Sequence, residues 1–362
     1  MRSGTIQRNL LAYSSAHALV DAISAMIVVS SALFVERRPD WVFLLYLIYN
    51  FAAFAMQLPL GALLDRLRAP RFFASMGLIL LAVACALFEA IPIVGAIVAG
   101  LGNAIFHLGG GVVSMNLARG RASYIGIFVA PGALGLFAGA LVGAHAPLGA
   151  GAKAAAILAA LVLALAILAL PLPDSYARSV RFENKSGRNF HPVCCAIGLI
   201  FLSIAIRSFV GLSLSFPWKE ERLFFAFAIA AAAGGGKAIG GLLADRLGFV
   251  RVSVAALALS IPLLALGMRS PALGLAGCLC FQMTMPVTLL ACASAFPGRD
   301  GFAFGLNCLA LFVGSLPVFG VLGLPVLSAW REVGGIARSL LIVMSIACLY
   351  LGLWAVWGGS RR

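Results

Sequence analysis

Charge is what this chain has least of. Only 10% of its 362 residues are Asp, Glu, Lys or Arg, and 12 of those are acidic, where a soluble globular protein would carry about 25% charged residues. Most of the few carboxylates flank apolar runs, which leaves no cluster for general acid–base chemistry. No Gly-x-Ser-x-Gly stretch presents a nucleophilic serine, so His107-Leu108-Gly109-Gly110-Gly111, similar to an oxyanion-hole sequence, has nothing to serve. Gly234-Gly235-Gly236-Lys237 lacks both the earlier glycine and the following Ser/Thr of a phosphate loop. Cys85, Cys194, Cys195, Cys278, Cys280, Cys292, Cys308 and Cys348 show neither zinc-ligand spacing nor a disulfide framework. Inside apolar runs they are expected to pack as small hydrophobes. Enzyme activity, a metal centre and a bound cofactor are therefore not expected.

Apolar residues fill the space that charge leaves. They make up 62% of the chain, with a mean hydropathy of +1.06, more than a soluble fold could bury. The chain reads as a polytopic membrane protein. A hydrocarbon core about 30 Å thick needs about 20 apolar residues per helix. Twelve such runs are predicted, over residues 10–34, 41–64, 72–91, 92–117, 122–145, 149–170, 193–216, 223–244, 250–268, 271–295, 302–327 and 334–357. The first is too long for a signal-peptide core and is read as a retained helix. The longest polar segment, 172–192, reads as a cytoplasmic linker between halves 1–171 and 193–362. Trp41, Trp218, Trp330, Trp354 and Trp357 fall near the predicted interfaces, where amphipathic rings are comfortable.

The net charge of +14 would suit nucleic acid, but its placement suggests otherwise. With both termini inside, most Lys/Arg lie on the inner side, from Arg2 and Arg8 through Arg66, Arg68, Arg71, Arg119, Arg121 and Lys237 to Arg246, Arg251 and Arg299. This is the positive-inside pattern. The basic charge reads as topological, in a bacterial inner membrane, and no nucleic-acid partner is expected.

One charged stretch occurs twice. Gly61-Ala62-Leu63-Leu64-Asp65-Arg66-Leu67, followed by Arg71, returns as Gly241-Leu242-Leu243-Ala244-Asp245-Arg246-Leu247, followed by Arg251. Each position returns 180 residues on, about half the chain, as in a duplicated bundle. The two stretches resemble the loop signature of the major facilitator superfamily, Gly-x-Leu-Ala-Asp-Arg-x-Gly-Arg-Arg. The first copy departs from it at Arg68-Ala69-Pro70; the second keeps Gly248 but only Arg251 of the basic pair. The resemblance implies an all-α fold of twelve transmembrane helices in two six-helix halves, acting as a monomer by alternating access on a small molecule. Gly61, Asp65, Arg66 and Arg71, with Gly241, Asp245, Arg246 and Arg251, would form a conformational latch that pairs charge against neighbouring helix ends in one state.

Polar side chains inside the runs are costly in hydrocarbon and mark sites. Ser14, His17, Asp21 and Ser24 share one helical face. A carboxylate beside an imidazole at low dielectric suits a proton carrier, and equally suits a bond that only stabilises the bundle. Asn103 and His107 share a face of the fourth helix, in a segment similar to fosmidomycin-resistance-type exporters; the Arg that most drug–proton antiporters carry there is missing. Gly126, Pro131 and Gly135 match the superfamily's antiporter-associated fifth-helix motif and also suit a bent, closely packed helix. Arg207 reads as the only basic residue well inside a span, there to pair with Asp21 or to receive an anionic substrate group. Tyr46, Asn50, Gln57, Gln282, Thr284 and Asn307 complete the candidate cavity lining. The expected function is secondary transport with protons as coupling ion, export first. Proton-coupled uptake of a small organic anion, or a non-transporting receptor on the same fold, are the alternatives.

Overall fold

The computed structural model describes residues 2–35, 39–117, 119–172, 190–318 and 334–357. All its regular elements are helical. In hydrocarbon no water meets a backbone N–H or C=O, and a helix satisfies both within one segment. Among the described residues, eleven helices are long and apolar enough to cross a membrane: α1 Gly4–Phe34, α2 Asp40–Leu67, α3 Pro70–Leu87, α4 Pro92–Leu117, α5 Ala122–Gly143, α6 Ala150–Ala169, α7 Val193–Ser213, α8 Leu223–Leu247, α9 Phe249–Gly267, α10 Pro271–Ala295 and α12 Gly335–Trp357. The shorter apolar helix α11 spans Asp300–Ser315. Its expected continuation over 319–327 lies outside the described residues, as do Trp330 and linker positions 173–189.

The repeated stretches are not turns. Gly61–Leu67 and Gly241–Leu247 form the last turns of α2 and α8. Their leucines and alanines propagate a helix well, and the stop comes one residue later. Arg68 ends α2 in a left-handed conformation at φ 54°, ahead of Pro70 at the start of α3. Gly248 ends α8 at φ 101°, where glycine carries no Cβ penalty. Lys237, counted among the inner-side charges, lies inside α8, about three turns from its end. Arg207 is therefore not the only basic residue within a span. Of the cysteines, Cys194 and Cys195 are exposed rather than packed.

Three spans are interrupted. In α2 a π-helical segment, Phe51–Ala55, separates Pro39–Asn50 from Gln57–Leu67. In α5 the break falls at Pro131, and in α10 at Met283 and Thr284, just ahead of Pro286. A proline lacks its N–H and clashes with the carbonyl four residues back, here Ile127 and Gln282.

The chain divides into two compact units. The first holds Met1–Arg119, Phe128–Arg181 and Gly298–Gly305; the second holds Gly120–Ile127, Phe182–Pro297 and Leu306–Arg362. Inside the first, α4 is buried along most of its length, whereas α6 exposes Leu158, Leu161, Val162, Leu165 and Leu168 as a lipid-facing helix would. Inside the second, the half of α10 beyond its break is buried, and α8 has few fully buried residues.

Candidate functional site

In the first unit the structure brings α1 and α4 together through polar side chains. Asn103 Nδ2 donates to Asp21 Oδ1 at 3.1 Å and to Ser24 Oγ at 3.2 Å. Nε2 of His17 lies 3.2 Å from Asp21 Oδ2, and that of His107 lies 3.6 Å from Asp21 Oδ1. The two Nε2 atoms are 2.9 Å apart. Asp21 is 7% exposed and His17 4%, with Phe106 and Phe128 against the His17 ring. Tyr49 of α2, which the sequence does not single out, is buried close to Ser24.

The hydrogen bonds of the cluster fix where its protons sit. His107 Nδ1 lies 2.8 Å from the backbone oxygen of Asn103. A carbonyl only accepts, so Nδ1 carries a proton and, in the neutral ring, Nε2 presents a lone pair. His17 Nε2 must then carry the proton that reaches both His107 and Asp21. His17 Nδ1 is buried without a hydrogen-bond partner among the described residues. An incoming proton thus has two acceptors in contact with His17 Nε2, the His107 Nε2 and the Asp21 carboxylate, besides the lone pair of His17 Nδ1 itself. His17 bridges them.

The ligand atoms of His17, Asp21 and His107 also lie within 4.8 Å of one another, the spacing of a metal site. Two imidazole nitrogens on one tetrahedral metal stand about 3.3 Å apart. The 2.9 Å separation is that of a hydrogen bond instead.

Glycine packing holds this geometry. A Cβ on Gly132 would fall on Asp21 and His17, and those on Gly135, Gly139 and Gly143 would strike Ala18, Ala22 and Met26. The half of α5 beyond Pro131 thus lies flush on α1, as small residues every few positions allow. Gly126, on the other side of the break, meets the Lys237 backbone in the second unit.

The second unit has its own buried polar contact, between the corresponding helices α7 and α10. Arg207, 9% exposed, donates through a terminal nitrogen to Thr284 Oγ1 at the α10 break. Its Nε is buried without a partner among the described residues. Gln282 is half-buried immediately before the break, and Asn307 of α11 is buried close to Cys292 of α10. On α2, Asn50 and Gln57 flank the π segment and turn back on their own helix, donating to the carbonyls of Tyr46 and Ala53.

Among the described residues, neither repeated carboxylate forms a salt bridge with an arginine. Asp65 accepts from the backbone N–H of Gly301 and of Phe302, each at 2.8 Å, capping the start of α11. Asp245 accepts from Ala122 and Ser123 at 2.7 and 3.1 Å, capping α5. Anions favour helix N-termini because free N–H groups and the macrodipole converge there. Gly61 and Gly241 admit this contact, since a Cβ on either would fall on the backbone of the capped helix. Arg66 and Arg246 are exposed, and Arg71 donates to the Leu170 carbonyl at 3.0 Å. Beside the first cap, Asp300 accepts from Asn116 at 2.9 Å and pairs with Arg119 at 3.3 Å.

A model of the Major Facilitator Superfamily matches residues 39–317. No curated protein matches the chain significantly. Among solved structures, the human organic anion transporter MFSD10 (TETRAN) superposes with a TM-score of 0.67 at 18% identity, over 96% of this chain and 99% of that one. The E. coli fucose:proton symporter FucP superposes at 0.60 with 13% identity, over 96% and 98%. FucP in the outward conformation gives 0.60 and 14%, over 97% and 100%.

Proposed function

The chain belongs to the major facilitator superfamily, and from that premise we propose a proton-coupled secondary transporter of a small molecule bearing an anionic group, working by alternating access, with export as its direction. The buried His17–Asp21–His107 cluster carries this reading. Proton coupling needs a group that takes a proton in one access state and releases it in the other. Three side chains joined by hydrogen bonds, with room for one more proton, meet that need. The anionic group is assigned to Arg207, whose buried Nε is free to donate and whose guanidinium fork matches carboxylate or phosphonate. A fold neighbour is named an organic anion transporter, but at 18% identity it supports the fold, so the weight rests on Arg207. Export follows from the α5 pattern of Gly126, Pro131 and Gly135; uptake by symport is the second reading, on the same two clusters.

The Asp65 and Asp245 caps would be the latch, made when α11 and α5 start against them and broken in the other access state. The two halves would be 1–171 and 193–362, joined by a cytoplasmic linker at 172–192. The protein would act as a monomer in a bacterial inner membrane with both termini inside. The deciding experiment is proton flux in proteoliposomes challenged with carboxylates and phosphonates chosen by thermal-shift screening. Flux that accompanies substrate, and vanishes with Asp21→Asn, supports the reading. Anion movement with no proton flux in the wild type would refute it.

A further inference from the structure

Four helix ends of the second unit, the starts of α5 and α9 and the ends of α8 and α12, surround a cavity of about 1110 Å³. Because all four are ends of apolar spans, the cavity lies at a membrane surface. Arg121, Arg246 and Arg251 line it and are exposed. None of the three is hydrogen-bonded or ion-paired to a described residue. Asp245, the carboxylate in the lining, is committed to the N–H groups of Ala122 and Ser123. The first turn of α9 has no acidic residue and no side-chain cap, so its N–H groups add to the positive potential.

The rest of the wall is apolar and reaches into the bilayer. Trp354 and Leu247 are each 57% exposed, and Leu242 lies one turn deeper on α8. A soluble anion would use only the arginines, whereas an amphiphile would use both surfaces. At the first copy of the repeat, Arg71 is spent on the Leu170 carbonyl and Arg119 on Asp300.

We propose that this cavity seats the phosphate headgroup of an anionic diacyl phospholipid, with the guanidinium groups on the phosphate and an acyl chain along Leu242, Leu247 and Trp354. Basic pockets between transmembrane helices recognise anionic headgroups by this combination. The site is independent of the substrate and coupling proposed above, and takes from that reading only the inner leaflet.

Trp354 and Trp357 report on the site directly. Full-length protein in detergent is titrated with phosphatidylglycerol brominated in its acyl chains, and tryptophan quenching is followed. Saturable quenching is expected, far weaker with brominated phosphatidylcholine. Each arginine near a headgroup contributes about fivefold in affinity, so Arg251→Gln should weaken binding about fivefold and Arg246→Gln with Arg251→Gln about twenty-five-fold. Arg66→Gln, at the first copy, should leave the affinity unchanged. Should the double variant fail to fold, Arg121→Gln alone carries the same test. The proposal falls if phosphatidylcholine binds equally well, if the cavity variants keep wild-type affinity, or if inorganic phosphate displaces the lipid at equal concentration, which would make this a soluble-anion site.

Discussion

Each unit keeps its buried polar contact on corresponding helices, α1 with α4 and α7 with α10, yet the two are opposite in kind. The first gathers a carboxylate, two imidazoles and an amide, all linked and able to hold one more proton. The second offers a guanidinium on a single hydroxyl, with a donor left over. A duplicated scaffold gives two equivalent places for a site, and here one place has acquired acid–base chemistry and the other anion attraction. Neither could do the other's work. A guanidinium stays protonated at any physiological pH, and a carboxylate repels the anion that Arg207 would hold.

The sharpest test removes the only carboxylate of the first cluster. Asp21→Asn keeps the shape and the Asn103 contact but cannot exchange a proton. Proton-driven accumulation in liposomes should fall to the level of empty vesicles, while substrate exchange down its own gradient continues. Full coupling in this variant would shift the acid–base role to His107 and blur the contrast between the units.

The next effect belongs to the second cluster. Arg207→Lys keeps the charge and loses the fork, and a hydrogen bond to a charged group contributes about 1.5–3 kcal/mol. Substrate affinity should drop by about tenfold or more, with proton coupling per substrate intact. Equal binding by calorimetry in wild type and Arg207→Lys would make the arginine structural.

Sequence spacing carried each half of these clusters but not their meeting. His17 with Asp21, and Asn103 with His107, are legible because positions four apart share a helix face. That the two faces touch depends on the glycine run of α5 and the burial of α4, which are tertiary facts. Tyr49 was hidden among apolar neighbours. The Asp65 and Asp245 contacts were only partly legible, since a neighbouring helix end was expected while its backbone N–H donors carry no side-chain signature. Asp300 did offer a signal, an acidic residue in the first turn of a helix, where the macrodipole favours it. The π segment at Phe51–Ala55 follows from no pattern in its residues.

The two caps allow a subtler comparison. Asp65 is half-buried and flanked by the Asn116–Asp300–Arg119 group, whereas Asp245 is exposed to solvent. Losing a helix N-cap costs about 0.5–2 kcal/mol. Asp65→Ala should sit at the upper end of that range and Asp245→Ala at the lower, read as the shift in access-state populations by double electron–electron resonance. A larger shift from Asp245→Ala would reverse the assignment of the stronger latch.

The smallest expected effect is on rate, and it tests how the first cluster works as a unit. His17 carries the proton that links Asp21 to His107, but neither terminal group depends on it for its own capacity to bind a proton. With the bridge in place the two acceptors are coupled, and their apparent titration belongs to the pair rather than to either residue. His17→Ala removes the bridge, and the buried neighbours Phe106 and Phe128 still exclude bulk water. The maximal transport rate should therefore change little, while its pH profile loses the wild-type shape, because Asp21 and His107 are then linked only by their direct 3.6 Å contact. His17→Gln restores a donor at similar reach and should recover part of the coupling. If the profile of His17→Ala overlays the wild type, the 2.9 Å contact between the imidazoles is packing alone, and Asp21 works without its neighbours.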